Sequence, residues 1–255
     1  MKVRVSAISY LNTAPFVYGL ENHPVSEMIE LEFVPPAVTA SKLISGDADL
    51  GLVPVASIPY IPTPFLISDF CIGAEGRVAS VLLCSGKKVE DVEKIYLDSE
   101  SRTSVLLARI LCKNHWKISP QFVDFNFAKA TLDPSSSYIL IGDKALLNAH
   151  LFENVYDLAE VWMDYKSLPF VFACWTANKK LPDSFIVLFN EALTLGLSNL
   201  EKSVDRFSDQ FSREYSIEYL KNNISYIFTA EKRRGLSEFW SLAPDELKSR
   251  VRWFG

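Results

Sequence analysis

Short apolar runs of strand length alternate with helix-length amphipathic segments along the first part of the chain. The pattern predicts strands at "VRVSAIS", "IELEFV" and "ADLGLVP", with helices over about residues 13–21 and 37–45 between them. Parallel strands need a crossover connection, which is usually a helix. This order therefore indicates a parallel sheet with helices on both faces.

A second series of alternating segments begins with "RVASVLLCS", which the pattern predicts as one long strand. Further strands are predicted at "KIYLDS", "QFVDF" and "YILIGD", with helices over about residues 101–116 and 143–149. This second series predicts a second sheet.

The chain returns through "LPFVFACWTA", another long β-rich run, and from there onward its pattern is helical. A chain that leaves one α/β lobe by a long strand and returns by another predicts two lobes with a central cleft and two crossover segments. We therefore predict an α/β fold with a first lobe of residues 1–84 plus 171–255 and a second lobe of residues 85–170.

Composition and charge exclude several classes of protein. The 255 residues are 49% hydrophobic, which is sufficient for a well-filled core. The net charge of -5, without a run of five like charges, gives no electrostatic footprint for nucleic acid or for an anionic membrane. No apolar stretch approaches the roughly 20 residues that span a bilayer, and no signal-peptide core is present. We expect a cytoplasmic protein with neither nucleic acid nor membrane as partner.

The sequence contains no motif that would indicate a site for a metal ion or a common cofactor. The cysteines lie far apart in apolar contexts, which favours reduced packing residues: Cys71, Cys84, Cys112 and Cys174. The three histidines are not spaced as metal ligands. The chain also lacks the GxGxxG, GxxxxGKS/T and GxSxG motifs of nucleotide sites and serine hydrolases. We expect no metal and no cofactor.

One strand-to-helix turn has the residues of an anion site, and in α/β sheets such turns line the crevice. In "LDSESRTSVLLARIL", Ser99 or Ser101 can cap the helix, which leaves the amides and hydroxyls of Thr103 and Ser104 to meet a carboxylate. The alternative is that these residues only cap the helix and that Arg102 lies on its solvated face.

The turn in "SYLNTAPF" satisfies the rules for a helix start, with Asn12 or Thr13 as the cap and Pro15 in the first turn. An asparagine amide also has donor and acceptor groups, so Asn12 at a cleft mouth can orient a hydroxyl or a carboxylate. Ser80 interrupts an apolar strand and is either a packing residue or a site residue. Asp143, in "LIGDKALL", is interpreted as a helix N-cap.

Five segments, in order along the chain, resemble the chorismate dehydratases of the futalosine route to menaquinone: "SYLNTAPF", "GDADLGLVPVASI", "SESRTSVLLARIL", "LIGDKAL" and "DLAEVWMDYKSLPFVFACW". The match runs from residue 6 to about residue 175. The resemblance implies the type II periplasmic-binding-protein fold. It also implies an enzyme that converts chorismate to 3-(1-carboxyvinyloxy)benzoate and water without a metal or a nucleotide.

For individual residues, the resemblance implies that Asn12 and Ser80 belong to the substrate pocket and that Thr103 and Ser104 hold a carboxylate. The reaction produces an aromatic ring, so the enzyme mostly has to position and desolvate a dianion. The matching turns contain no obvious histidine, cysteine or lysine base. We therefore expect the substrate's own enolpyruvyl carboxylate to accept the proton, with Asn12 as the catalytic residue that orients the leaving hydroxyl or that carboxylate.

Two alternatives remain open. The sister enzyme of the same pathway forms 1,4-dihydroxy-6-naphthoate on the same fold and uses a histidine base after the strand that corresponds to "YILI", where this chain has Gly142. The other alternative is a solute-binding protein for a small carboxylate, because that class shares the fold and needs only the anion-binding turns.

Overall fold

Residues 2–98, 101–127, 131–207 and 209–248 are described by a computed structural model, in which eleven strands form two sheets. The strands are β1 (Val3–Ala7), β2 (Ile29–Phe33), β3 (Leu50–Pro54), β4 (Phe65–Ala74), β5 (Val81–Ser85), β6 (Lys94–Asp98), β7 (Gln121–Phe125), β8 (Ser137–Ile141), β9 (Asn154–Asp157), β10 (Phe170–Ala177) and β11 (Ser225–Ile227). The α-helices are α1 (Ala14–Asn22), α2 (Pro36–Ser45), α3 (Thr103–Leu111), α4 (Gly142–Asn148), α5 (Leu158–Lys166), α6 (Asp183–Ser198), α7 (Leu200–Ser203), α8 (Arg213–Asn222), α9 (Ala230–Ser241) and α10 (Asp245–Lys248).

The first sheet has six strands in the order β11-β4-β10-β3-β1-β2. Strands β2, β1 and β3 are parallel as predicted, whereas β10 pairs antiparallel with both β3 and β4, and β11 pairs antiparallel with β4. The parallel pairing predicted from the opening strands is confirmed, and the sheet as a whole is mixed. The sheet is mixed because β4 leads out of this lobe and β10 leads back into it, so the two strands run in opposite directions.

The second sheet has five strands in the order β7-β6-β8-β5-β9, with β6 parallel to β7 and β8, and with β5 antiparallel to β8 and β9. The chain passes between the sheets through residues 75–80 and again through residues 158–169, which include α5. Strand β5 already belongs to the second sheet, although the predicted lobe boundary follows residue 84. The boundaries at residues 84 and 171 stay predictions.

Several elements differ from the pattern-based prediction. "RVASVLLCS" is a strand only from Val81 to Ser85, because Ala79 before it has a φ of 61° and breaks the extended conformation. Strands β4, β9 and β11 and helix α5 were not predicted. The short strands β9 and β11 depend on pairing with a neighbour rather than on propensity, which explains why a pattern misses them.

Helix α1 is held in place by close contact with α6 from the carboxyl-terminal part of the chain. A Cβ atom at Gly19 would overlap the carbonyl oxygen of Ala192, and a Cβ atom at Gly196 would overlap that of Pro15. The two helix backbones can meet this closely only because both positions are glycine. The carboxyl-terminal helices therefore fix the position of α1 and of the turn before it. Among the described residues, no helix is both long and apolar enough to span a bilayer.

Candidate active site

A cavity with about 570 Å³ of empty space lies between the two lobes. The lining comes from both lobes, mostly where β1, β3, β6 and β8 end: Ile8, Tyr10, Asn12, Thr13, Pro36, Leu52, Pro54, Ile72, Val78, Ser80, Val81, Ser101, Arg102, Thr103, Ser104, Ile141, Gly142, Phe172 and Ala173. The fold thus brings all four predicted site residues to one cavity, while their individual roles stay predictions.

Asn12 lies in a 3-10 turn, Leu11–Thr13, that connects β1 to α1. Thr13 is the N-cap residue of α1 and Pro15 lies in the first turn, as predicted, but the expected capping hydrogen bond from a side chain is absent. The Thr13 hydroxyl instead lies within hydrogen-bond distance of the carbonyl oxygens of Ile8, at 2.6 Å, and Tyr10, at 2.7 Å. With Thr13 satisfied by the turn itself, the Asn12 side chain is left to face the cavity.

Ser80 reaches the cavity through a strained turn. The preceding residue, Ala79, has a φ of 61°, a left-handed conformation that costs a non-glycine residue about 1–2 kcal/mol. The N–H of Ala79 donates to Oδ2 of Asp157 at 2.6 Å, while Oδ1 of the same carboxylate caps α5 by accepting from the amides of Ala159 and Glu160. Burial raises the pKa of Asp157, and these backbone hydrogen bonds oppose that effect. Asp157 therefore fastens the turn that positions Ser80.

The amino-terminal turn of α3 forms another wall of the cavity. Ser101 does not cap this helix, which has no side-chain cap, and Ser99 lies outside the described residues. The Thr103 hydroxyl bridges the lobes: it accepts from the Ala56 amide at 3.2 Å and donates to the Phe172 carbonyl at 3.2 Å. Thr103 is therefore engaged in lobe contact.

Ser104 occupies the next position of α3 and lines the cavity with its buried side chain. Its hydroxyl has no hydrogen bond to another described residue, in contrast to that of Thr103. Together with the uncapped amides of the first turn, this hydroxyl gives the end of α3 the donors that an anion requires.

Gly142 and Asp143 lie where β8 meets α4. Gly142 has a φ of 54°, and a Cβ atom at this position would lie 2.8 Å from the ring of Tyr10. Any side chain here would therefore need both a strained backbone and a displaced tyrosine.

The prediction that Asp143 is an N-cap is wrong, because no side chain caps α4. Its Oδ1 instead accepts from the Leu11 amide of the other lobe at 3.0 Å. Burial raises the pKa of Asp143 to about 6, and the hydrogen bond from Leu11 lowers it by a smaller amount.

Arg102, the exposed N-cap residue of α3, is the one charged residue among the described residues that line the cavity, and none of those residues is a histidine, cysteine or lysine. Arg109 lies at an exposed position further along, within α3, with its guanidinium 4.2 Å from the ring centre of Phe122. Both arginines are exposed, as the alternative interpretation of Arg102 expected, but only Arg102 also borders the cavity.

All four cysteines are free and buried, which confirms the prediction that they are packing residues. Burial raises the thiol pKa of Cys71, Cys84 and Cys112 to about 12, so these groups stay protonated at neutral pH. Within the described part of the chain, no group of three or more histidine, cysteine, aspartate or glutamate side chains is placed to hold a metal ion.

The family model described as menaquinone biosynthesis matches residues 3–245. The chain belongs to the menaquinone biosynthesis family. The chorismate dehydratase of Thermus thermophilus is 28% identical to this family member over 219 residues, which are 74% of the chain and 80% of the relative.

Solved structures agree with this family assignment at the level of the fold. A protein of Archaeoglobus fulgidus matches with a TM-score of 0.77 at 14% identity, covering 98% of each chain. The periplasmic aliphatic sulphonate binding protein SsuA of Escherichia coli matches with a TM-score of 0.60 at 16% identity, covering 98% of this chain and 97% of SsuA. The predicted periplasmic-binding-protein-like fold with two α/β lobes is confirmed.

In this member of the menaquinone biosynthesis family, three side chains that support the cavity were absent from the predicted site. They are Asp157, which fastens Ala79, Tyr219, which donates to Ser80 Oγ at 2.7 Å, and Tyr226, which donates to the Asn12 carbonyl at 2.9 Å. Asp157 precedes an amphipathic run and has the signature of an N-cap. The two tyrosines occupy ordinary apolar positions, so no local signal distinguishes them from core residues.

Proposed function

We propose that this protein is a cytoplasmic chorismate dehydratase, which converts chorismate to 3-(1-carboxyvinyloxy)benzoate and water in menaquinone biosynthesis. Family membership and the name of the Thermus relative support the proposal. The site supports it through a cavity lined by small polar groups at Asn12, Ser80 and Ser104. The reaction removes water without a change of oxidation state in the protein, so it needs no redox cofactor.

Binding must accommodate two carboxylates. The unpaired amides at the start of a helix favour an anion, so the first turn of α3 with the Ser104 hydroxyl would hold one carboxylate. Arg102 would bind the other, because a guanidinium is the group best matched to a carboxylate and no other charged side chain of the described residues lines the cavity.

The chemical step breaks two bonds and forms an aromatic ring. The ring carbon that bears the ether loses its proton, and the electron pair of that C–H bond becomes a ring double bond. The neighbouring hydroxyl leaves with the electrons of its C–O bond and takes up a proton to give water. Because the described lining offers no imidazole, thiol or amine, the enolpyruvyl carboxylate of the substrate is the proposed proton acceptor. Asn12 would orient that carboxylate or the leaving hydroxyl.

The geometry at Gly142 is the observation that favours the dehydratase over the naphthoate-forming enzyme. The resemblance places the histidine base of the naphthoate-forming enzyme at this position. Here the φ of 54° opposes any side chain, and so does the ring of Tyr10, which would lie 2.8 Å from a Cβ atom. A dehydration in which the substrate's own carboxylate accepts the proton requires no basic side chain at position 142, and is therefore compatible with the glycine found there.

Incubation of the purified protein with chorismate tests the proposal. We expect stoichiometric formation of the aromatic enol ether, detected by liquid chromatography and mass spectrometry as a loss of one water. The Asn12→Ala variant is the control for activity that does not arise from the site. A wild-type protein that binds chorismate and releases it unchanged would contradict the proposal and favour a solute-binding role.

A further inference from the structure

Tyr219 lies directly behind the cavity wall. This residue of α8 is 3% exposed and does not line the cavity, so it has no direct route to a bound molecule. Its hydroxyl donates to Ser80 Oγ at 2.7 Å. A buried hydroxyl from the carboxyl-terminal helices thus holds one of the polar side chains that the proposed function places against the substrate.

The donor and acceptor inventory fixes what this hydrogen bond leaves available. A phenol has one proton, and Tyr219 donates it to Ser80 Oγ. Ser80 uses an acceptor site for Tyr219 and keeps its own proton to donate.

The result is a chain of hydrogen bonds with one polarity, from Tyr219 to Ser80 and from there into the cavity. Each bond in such a chain strengthens the next, particularly where water is excluded. Burial raises the pKa of Tyr219 well above its usual range, although its hydrogen bond with Ser80 offsets part of this. The phenol therefore stays protonated and remains a donor at neutral pH.

We propose that Tyr219 is a positioning residue that orients Ser80, so that the Ser80 hydroxyl donates a hydrogen bond to a substrate oxygen. The inference rests on the proposed function, since it assigns a role to a residue that the function places in contact with substrate. A purely structural tyrosine would need the same burial, but the direction of its hydrogen bonds would have no effect on turnover.

The test is Tyr219→Phe, which removes one oxygen atom and leaves the ring packing intact. We expect kcat to fall about 10-fold or more with a smaller change in KM, because misoriented donors affect the transition state more than ground-state binding. The matched control is Tyr138→Phe. Tyr138 is 2% exposed, and its hydroxyl accepts from the Asp133 amide away from the cavity. Equal losses of kcat in both variants would overturn the proposal.

A double-variant comparison separates positioning from general damage. If Tyr219 acts partly through Ser80, Tyr219→Phe should reduce kcat less in a Ser80→Ala background than in the wild type. If Tyr219→Phe instead reduces kcat by the same factor in both backgrounds, the two residues act independently and the inference is contradicted.

A readout without turnover keeps the test distinct from the proposed function. The backbone amide resonance of Ser80, assigned by serine-specific labelling and its loss in Ser80→Ala, should shift in Tyr219→Phe and not in Tyr138→Phe. An unmoved resonance overturns the positioning role even if the wild type dehydrates chorismate. A shifted resonance supports that role even if the wild type does not.

Discussion

Replacement of Asp143 by asparagine should make the protein less sensitive to pH. Burial raises the pKa of this carboxyl group to about 6, from an ordinary value of 3.8. A carboxyl group with a higher pKa in the folded state binds its proton more tightly when folded. Its contribution to the free energy of unfolding therefore falls as pH rises from about 4 to about 6 and is constant above that range.

The magnitude follows from the difference between these two pKa values. At 1.36 kcal/mol per pKa unit, ionisation of Asp143 costs the folded state about 3 kcal/mol at pH 8 and about 1 kcal/mol at pH 4.5. Asparagine retains the oxygen that accepts from the Leu11 amide but carries no charge. Asp143→Asn should therefore gain about 2 kcal/mol relative to the wild type between pH 4.5 and pH 8.

Urea denaturation of both proteins at the two pH values measures this difference. Asp133→Asn is a control without a pH-dependent difference, because hydrogen bonds from Ser135 and Ser136 lower the pKa of the exposed Asp133 and keep this carboxyl group ionised at both pH values. That variant should differ from the wild type by nearly the same amount at pH 4.5 and pH 8, and should approach it only well below pH 4. If Asp143→Asn raises the free energy of unfolding by the same amount at both pH values, the claim that burial raises the pKa of Asp143 is refuted.

Three further predictions concern the cavity. Asn12→Ala should lower chorismate turnover about 10²-fold with little change in melting temperature, because one preorganised polar contact to the reacting group is lost; turnover kinetics and thermal unfolding measure both. Ser104→Ala should weaken binding of a dicarboxylate aromatic analogue, which calorimetry measures. Thr103→Val should mainly lower the free energy of unfolding, by about 1–3 kcal/mol in urea denaturation, because the Thr103 hydroxyl joins the lobes. Arg102→Gln should raise KM about 10-fold, and Arg109→Gln should leave it unchanged, because only Arg102 lines the cavity; equal KM values for the two variants would contradict this.

The elements that the sequence predicts well are those with a strong local pattern. Strands β1 and β3 are bounded by turn signals and carry apolar residues that become buried, and helix α2 ends at Gly46 with a φ of 80°. The turns at Asn12 and Ser104 could also be located, because each follows the carboxyl end of a strand, where the loops of α/β sheets line the crevice.

The errors arise where a distant residue decides the outcome. Local rules assign Asp143 to its own helix, but the Leu11 amide of the other lobe lies close by and donates to the carboxylate instead. The same holds for Tyr219, whose helix pattern shows only that the ring is apolar and buried. Its partner Ser80 is 139 residues away in the chain, and no local spacing reports such a contact.

The position of β10 has a consequence for synthesis of the protein. This strand lies between β3 and β4, yet the chain makes it only after the whole second sheet, β5 to β9, has been made. A nascent chain can complete the second lobe while β3 and β4 still expose unpaired edges, which are sites of unwanted association. Insertion of β10 closes both edges, and α8 and β11 then bring Tyr219 and Tyr226 against the cavity. A ribosome-bound chain that ends before residue 219 can therefore hold every lining residue of the cavity and still lack the groups that orient Ser80 and Asn12.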